Sequence, residues 1–160
     1  MMIISACLCG VNCKYNGGSN THSFYRELLR KGELIPLCPE QLGGLSTPRT
    51  ACEISAGSGL DVIEGRARVY TRDGCDVTDR FIKGANEVLQ IAIDSGADAA
   101  IFMSRSPSCG CGQVYDGSFS GMLVSGDGVT TAMLKKNGVK VWNDQDYLND
   151  KGVYTGIESS

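Results

Sequence analysis

The sequence predicts an α/β protein: a single three-layer, Rossmann-like domain over residues 1–160, with a mainly parallel sheet and a small β-hairpin insertion. Short apolar runs alternate along the chain with segments of helical periodicity, a pattern typical of parallel strands joined by helical crossovers. Glycine-rich stretches separate these segments. A chain of 160 residues, 42% of them hydrophobic, is also long enough to bury a core of its own.

The first elements follow from two apolar runs with a helix between them. Residues 2–7 predict a buried strand, because a short apolar run is closed by a glycine- and asparagine-rich loop. Residues 20–30 then have helical spacing, which Gly32 ends. Leu34–Leu37 predicts the second strand, and Pro36 places it near an edge or a bulge because proline cannot donate a ladder hydrogen bond.

The middle of the chain predicts an insertion and one long helix. Apolar and polar residues alternate from Leu60 to Thr71 around Gly65, which predicts a β-hairpin over about residues 60–73. The strongest helical periodicity begins after Thr78 and ends at Gly96.

The C-terminal third repeats the strand and helix alternation. Ala99–Met103 predicts a third buried strand, Val129–Lys136 a helix, and Val139–Trp142 a last strand. The serine-rich tail after about residue 156 is expected to fray.

Composition excludes several classes of function. A net charge of −3 argues against a nucleic-acid surface, which normally needs a basic face. The chain has no run of about 18 apolar residues, so no transmembrane helix and no membrane partner are expected. The start also lacks a basic region and a long apolar stretch, so we expect a cytoplasmic protein. Its eight cysteines should then be reduced thiols, for which metal or catalytic roles are favoured over disulfides.

Three cysteines follow apolar, strand-like runs. Cys7 comes after the first run, Cys38 after the second, and Cys109 shortly after the third. If these runs are parallel strands, the three thiols meet at the same carboxyl edge, where open α/β sheets bind ligands. Three convergent thiolates predict a soft metal site with one position left open.

The residues beside two of these thiols carry further chemistry. Glu40 follows Cys38 and Pro39, where it either complements a helix start or takes part in catalysis. In the segment Ser106-Pro107-Ser108-Cys109, a hydroxyl and a thiol share one tight loop, or the serine and proline simply start a turn. A helix start or turn is expected to lower the pKa of both thiols.

The remaining thiols and the one histidine leave alternatives open. Three roles are left open for Cys9, Cys13 and Cys111: redox activity, a position next to a metal ligand, or no functional role. The other two cysteines, Cys52 and Cys75, are expected to be small hydrophobic residues, and His22 is expected at the surface beside a helix cap. C-x-x-C spacing is absent, which removes the thioredoxin motif.

Four motifs together resemble the DUF523 family, which includes the thiouracil desulfidases. They are SACLCGVNCKYNGG, PLCPEQLGGLSTPR, SRSPSCG with YDGSF after it, and GVTTAMLKKNGVKV. The resemblance runs from about Ile3 to Val141, with the motifs in the expected order.

The resemblance implies a cofactor and a reaction. It implies a [4Fe–4S] cluster with three cysteine ligands, Cys7, Cys38 and Cys109, and one open iron. Glu40 would be the acid/base residue and Ser106 a polar partner of the substrate. The reaction would be hydrolytic removal of sulfur from thiolated pyrimidines of the 2-thiouracil, 4-thiouracil or thiouridine type, with hydrosulfide released through a [4Fe–5S] intermediate. The partner would be a small base or nucleoside rather than intact nucleic acid.

Five positions depart from the family pattern, and they leave substrate preference open. They are Cys9, Lys14, Asn16, Arg105 and Cys111. Three other classes of function use the same thiols: a sulfur or iron–sulfur carrier or redox sensor, a zinc protein, and a cysteine hydrolase. The role of Arg49, either orienting substrate or tying down its loop, and the oligomeric state are also left open.

Overall fold

The computed structural model describes residues 1–153, and the predicted frayed tail lies outside them. The strands are β1 Met2–Ser5, β2 Leu34–Leu37, β3 Cys52–Ser55, β4 Arg68–Thr71, β5 Ala99–Phe102, β6 Gln113–Tyr115, β7 Leu123–Ser125 and β8 Lys140–Asn143. The helices are α1 Ser23–Arg30, α2 Pro39–Leu42, α3 Gly59–Ile63, α4 Thr78–Ser95, α5 Val129–Lys136 and α6 Asp144–Asp150. A 3₁₀ turn at Ala6–Cys9 follows β1.

The central sheet is parallel and has the strand order β2-β1-β5-β8. Two antiparallel pairs, β3 with β4 and β6 with β7, lie outside it. The predicted fold class, a mixed α/β protein with a mainly parallel sheet and small antiparallel hairpins, is therefore confirmed. The single-domain organisation stays a prediction.

Helices cover both faces of the sheet. Ile3 packs with Val88 of α4 and Leu134 of α5 on one face, and all three side chains are fully buried. Ile4 packs with Tyr25 of α1 on the other face, and both are also fully buried. Successive residues of a strand point to opposite faces, so apolar side chains at both positions produce a sheet buried between two helical layers.

Pro36 lies in β2, at one edge of the sheet, and its side chain is exposed. This position confirms the edge prediction, because an edge strand does not need the missing hydrogen-bond donor on its open side.

The predicted hairpin over residues 60–73 is wrong in its first arm. That arm is the helix α3, because the Asp61 carboxylate accepts hydrogen bonds from the Ser58 backbone N–H at 2.9 Å and the Ser58 hydroxyl at 3.2 Å. This capping arrangement satisfies the start of a helix. The second arm, β4, is a strand, but it pairs antiparallel with the upstream strand β3.

Two regions contain strands or a helix that the sequence analysis did not predict. The glycine-rich stretch between β5 and α5 contains the β6–β7 pair, and α6 follows β8 directly. Asn143 caps α6 by accepting a hydrogen bond from the Gln145 N–H at 2.8 Å. Among residues 1–153, none of the helices is long and apolar enough to cross a bilayer.

Candidate functional site

The ends of three neighbouring strands bring the predicted thiols to one cavity. Cys7 lies in the 3₁₀ turn after β1, Cys38 directly follows β2 at the start of α2, and Cys109 lies in the loop after β5. All three line a cavity of about 490 Å³, together with Glu40 and Ser106. The strand order places β1 between β2 and β5, so the turns that carry the thiols are adjacent.

A close approach of two helix backbones fixes the segment that carries Cys38 and Glu40. A Cβ atom built on Gly84 of α4 would lie 2.0 Å from the Pro39 carbonyl oxygen, and one on Gly43 would lie 2.1 Å from the Arg80 carbonyl oxygen. Both distances are shorter than any real contact, so α2 and α4 meet at positions that only glycine can occupy.

The start of α5 holds the loop that carries Cys109. The Thr130 N–H donates to the Ser108 carbonyl at 2.9 Å, and the Thr131 hydroxyl donates to the Cys109 carbonyl at 2.9 Å. A Cβ atom on Gly128 would lie 2.6 Å from the Ser108 carbonyl carbon. The loop therefore uses donors at the beginning of a helix that would otherwise lack partners.

The Glu40 carboxylate has polar partners on both oxygens. Arg49 donates from Nε to Oε1 at 3.1 Å, and the two side chains are only 7% and 12% exposed. On Oε2, the Ser108 hydroxyl donates at 2.8 Å and the Ser106 hydroxyl at 3.4 Å. A buried, ion-paired and hydrogen-bonded carboxylate is held in one orientation beside the thiols.

Arg49 uses its other donors within the protein. Nη1 donates to the Ser46 carbonyl at 3.2 Å and to the Thr47 hydroxyl at 3.0 Å, and Nη2 donates to the Cys13 carbonyl at 2.9 Å. The guanidinium therefore joins its own loop, the loop after β1 and the carboxylate of Glu40. Of the two roles left open for Arg49, these contacts are those of a loop tie.

The two serines of the Cys109 loop have different contacts. The Ser106 hydroxyl oxygen accepts the backbone N–H groups of Ser108 and Cys109, both at 3.1 Å, and so closes the turn. Ser108 is 2% exposed and makes the shorter contact with Glu40. Sequence reasoning selected Ser106 and missed Ser108, although the S-P-S-C segment offered both hydroxyls as signals.

The expectation of lowered thiol pKa values at Cys38 and Cys109 is wrong for this structure. Burial raises the pKa of Cys109 to about 12, despite opposing hydrogen bonds with Ser5 and Ser108. The pKa of Cys38 is raised by its hydrogen bond with Cys13 and by burial, which outweigh donation from the backbone at the start of α2. Desolvation of the thiolate therefore contributes to the rise at both positions.

Two further thiols line the same cavity. Cys13 has hydrogen-bond contact with Cys38, which lowers its pKa, but contact with Cys7 and burial together raise that pKa to about 11. Cys52, expected to be a core residue, lies half-buried in the cavity wall, and burial raises its pKa to about 12.

The three remaining cysteines and His22 lie away from this cavity. Cys9 is buried against α1, Cys75 is exposed in a turn, and Cys111 lines a separate cavity of about 460 Å³. His22 is itself the N-cap of α1, because its Nδ1 accepts the Phe24 N–H at 3.1 Å.

The donor chemistry fits an iron–sulfur cluster. Such clusters are held by cysteine thiolates, and Cys7, Cys38 and Cys109 are free thiols around one cavity. In the part of the chain that the structure describes, no three His, Cys, Asp or Glu side chains are grouped as ligands of a single metal ion.

Known proteins match almost the whole chain. The model of the family described as 2-thiouracil desulfurase matches residues 2–146. The uncharacterized protein YbbK of Bacillus subtilis (strain 168) is 43% identical over 150 residues, which cover 94% of this chain and 99% of that protein. The solved structure of the [4Fe-4S]-dependent thiouracil desulfidase TudS (DUF523Vcz) matches with a TM-score of 0.80 and 34% identity, covering 95% of this chain and 98% of that one.

These matches confirm the resemblance that the four motifs indicated, and the match to TudS confirms the fold. The three-cysteine ligation, the hydrolytic route and the [4Fe–5S] species stay predictions.

Proposed function

The chain belongs to the 2-thiouracil desulfurase family, and from this membership we propose that it is a [4Fe–4S]-dependent desulfidase that removes sulfur from a thiolated pyrimidine base or nucleoside by hydrolysis. One observation carries the proposal: the thiols of Cys7, Cys38 and Cys109 line the same cavity as the carboxylate of Glu40. The similar fold of TudS, whose name describes a [4Fe-4S]-dependent thiouracil desulfidase, supports it.

In this proposal, Cys7, Cys38 and Cys109 would hold the cluster, which would leave one iron without a protein ligand. When bound, the cluster supplies a soft Lewis acid for the thiocarbonyl sulfur, which withdraws electron density from the adjacent carbon. The protein supplies the three thiolates from segments that follow β1, β2 and β5, and it places the Glu40 carboxylate and the serine hydroxyl groups beside them.

Glu40 acts as the acid/base residue. Its Oε2 takes a proton from the water that attacks the thiocarbonyl carbon, and it returns this proton to the sulfur as the carbon–sulfur bond breaks. The water oxygen remains on the carbon, sulfur leaves as hydrosulfide, and the second proton passes to solvent. The reaction is therefore redox-neutral.

The polar partners of Glu40 prepare it for this role. Arg49 fixes Oε1, so Oε2 is the oxygen available for the proton. Ser108 and Ser106 both contact Oε2 and orient it, and either hydroxyl can pass its hydrogen bond to substrate. Such positioning by a fixed network is the usual contribution of residues around an acid/base group.

A non-enzymatic sulfur or iron–sulfur carrier, or a redox sensor, is the second candidate function. It is favoured by Cys13 and Cys52, which add two thiols to the wall of the same cavity. It predicts transfer of sulfide or cluster to a partner protein and no turnover of thiolated pyrimidines.

The test is anaerobic cluster reconstitution, followed by visible spectroscopy and assays of sulfide release from 2-thiouracil and 4-thiouridine. The wild type should become brown and release hydrosulfide. Glu40→Gln should keep the cluster absorbance but lose about 100-fold or more of kcat, as expected for loss of a general acid/base group. Cys109→Ser should lose the absorbance, whereas the exposed Cys75→Ser should match the wild type.

Three results would count against the proposal. A colourless wild type after reconstitution contradicts the cluster, and full activity of Glu40→Gln contradicts the role of the carboxylate. A cluster without sulfide release favours the carrier.

A further inference from the structure

Phe119 has an unusual backbone conformation in the wall of the candidate site. Its φ angle is 58°, in the left-handed region that bulky residues rarely adopt. The side chain lines the same cavity as the three thiols and Glu40. Strained residues of this kind persist only where their surroundings hold them, and they cluster at ligand-binding positions.

A buried carboxylate holds the backbone of this residue in place. Glu53 of β3 is 8% exposed, and its Oε1 accepts the N–H groups of Gly117 at 3.0 Å and Phe119 at 3.1 Å. Gly117 lies so close to β3 that an added Cβ atom would be 2.6 Å from the Ile54 carbonyl oxygen. These contacts fix the loop between β6 and β7 to the strand β3, and they therefore set the position of the Phe119 backbone.

The guanidinium group of Arg72 lies over the aromatic ring of Phe119. The guanidinium carbon of Arg72 lies 5.3 Å from the centroid of the Phe119 ring. Arg72 and Tyr115 line the cavity as well, so the part of its lining next to Phe119 is aromatic and cationic. Aromatic rings and guanidinium planes are the surfaces on which proteins stack unpaired bases.

We propose that Phe119, fixed by Glu53 and braced by Arg72, is the surface on which the flat ring of the substrate stacks. This inference rests on the proposed function and adds a specificity-determining residue: Phe119 selects planar thiolated heterocycles over non-planar thiocarbonyl compounds. The strands and their thiols meet the sulfur end of the substrate, and the β6–β7 loop contacts its ring.

The test compares a flat substrate with a puckered one that has the same thiocarbonyl group. Sulfide release from 2-thiouracil and 5,6-dihydro-2-thiouracil is measured with the reconstituted wild type, Phe119→Leu and Phe119→Tyr. Leucine keeps an apolar side chain but removes the flat face, so the preference in kcat/KM for the flat compound over the dihydro compound should fall about tenfold. Most of the fall should come from weaker binding of the flat compound, seen as a higher KM. Tyrosine keeps the face, so its preference should stay within about twofold of the wild-type value.

A purely structural role for Phe119 gives a different result. It would lower the thermal unfolding midpoint and reduce kcat/KM equally for both compounds, which overturns the proposal, as does an unchanged preference. If Phe119→Leu does not fold, Phe119→Trp replaces it. The larger flat ring should raise the preference for the flat compound, and a preference that does not rise contradicts the proposal.

Failure of the proposed function can be distinguished from failure of this inference. If the wild type releases no sulfide, equilibrium dialysis measures binding of the same two compounds to the same proteins. If the wild type binds the flat compound more tightly and this preference in affinity falls about tenfold in Phe119→Leu, the result supports stacking of the ring on Phe119 in a protein that does not turn the compound over. Equal affinity of the wild type for the two compounds overturns the inference.

Discussion

At the scale of single residues, the ion pair between Arg49 and Glu40 holds the Glu40 carboxylate in a fixed position in the site. Arg49→Met should lower the free energy of unfolding by about 3 kcal/mol, because it leaves a buried carboxylate without its counter-charge. Urea denaturation of the protein before reconstitution measures this effect. Addition of Glu40→Gln to Arg49→Met should recover part of the loss, since a neutral amide needs no counter-charge.

The matched control is Arg30→Met on α1. Arg30 also pairs with a glutamate, Glu27, but both side chains are more than half exposed. Its replacement should change stability by about 0–1 kcal/mol. A similar loss at both arginines would show that Arg49 acts through general surface charge rather than through Glu40.

The two serines should differ in what their removal affects. Ser106→Ala removes the oxygen that accepts two N–H groups of the Cys109 turn, so reconstitution should yield less cluster absorbance per chain. Ser108→Ala removes the shorter contact with Glu40, so the absorbance should remain and kcat should fall about tenfold. The reverse assignment would contradict the roles that we derive from these contacts.

The roles of the two serines show a limit of sequence reasoning. The S-P-S-C segment indicates a tight loop with hydroxyl groups near a thiol. Its residue types alone do not predict which hydroxyl makes the shorter contact with Glu40. That choice depends on Thr130 and Thr131 of α5, which bind the loop and lie about twenty residues beyond the S-P-S-C segment. Likewise, the sequence indicates Glu40 beside Cys38, whereas its ion pair with Arg49 depends on the path of the intervening loop.

At the scale of elements, the contact between α2 and α4 controls the position of Cys38 and Glu40. Replacement of a glycine within a helix by alanine normally stabilises it by about 1 kcal/mol. Gly84→Ala should instead destabilise the protein by about 2 kcal/mol and lower kcat, because the new methyl group meets the Pro39 carbonyl oxygen.

Asn86→Ala, at an exposed position two residues further along α4, is the control for this prediction. It should leave kcat unchanged and stability unchanged or slightly higher. Denaturation and steady-state kinetics of the two variants test the pair. If Gly84→Ala stabilises the protein as Asn86→Ala does, then α2 can move without loss and does not fix the site.

Strands and helices differed in how clearly the sequence indicated them. Three strands of the parallel sheet were predicted because each is a short apolar run bounded by polar or glycine residues, and the fourth, β8, was predicted from the apolar residues Val141 and Trp142 after Asn137-Gly138. The helix α3 was missed because Val62 and Ile63 between polar neighbours imitate strand alternation in so short a segment. The capping pair Ser58 and Asp61 was the signal that would have found it.

At the scale of the whole molecule, a cluster would join chain segments far apart in sequence. Its three proposed ligands follow β1, β2 and β5, so loading should stabilise the folded state that brings them together. We expect the thermal unfolding midpoint to rise by about 5–10 °C after anaerobic reconstitution. Anaerobic scans of loaded and unloaded wild type, with Cys109→Ser and Cys75→Ser alongside, measure it. A rise in Cys109→Ser equal to that in the wild type would contradict the proposed ligation.

The sheet edge explains why the grouping of the thiols was predictable and the contribution of Phe119 and Arg72 to the same cavity was not. Parallel strands end on one side, so Cys7, Cys38 and Cys109 were expected together because each follows a predicted strand. Phe119 and Arg72 reach the cavity through the two antiparallel pairs outside the sheet. No periodicity in the sequence predicts how such peripheral pairs fold back over a sheet edge.

Pro36 in the edge strand β2 also affects how the protein behaves at high concentration. An exposed strand edge is a template on which another chain can add a strand and begin an aggregate. At Pro36 that template has no N–H to offer, and the ring obstructs close approach. The same strand places Cys38 at the cavity, so Pro36 disfavours strand addition beside a segment that we propose binds the cluster.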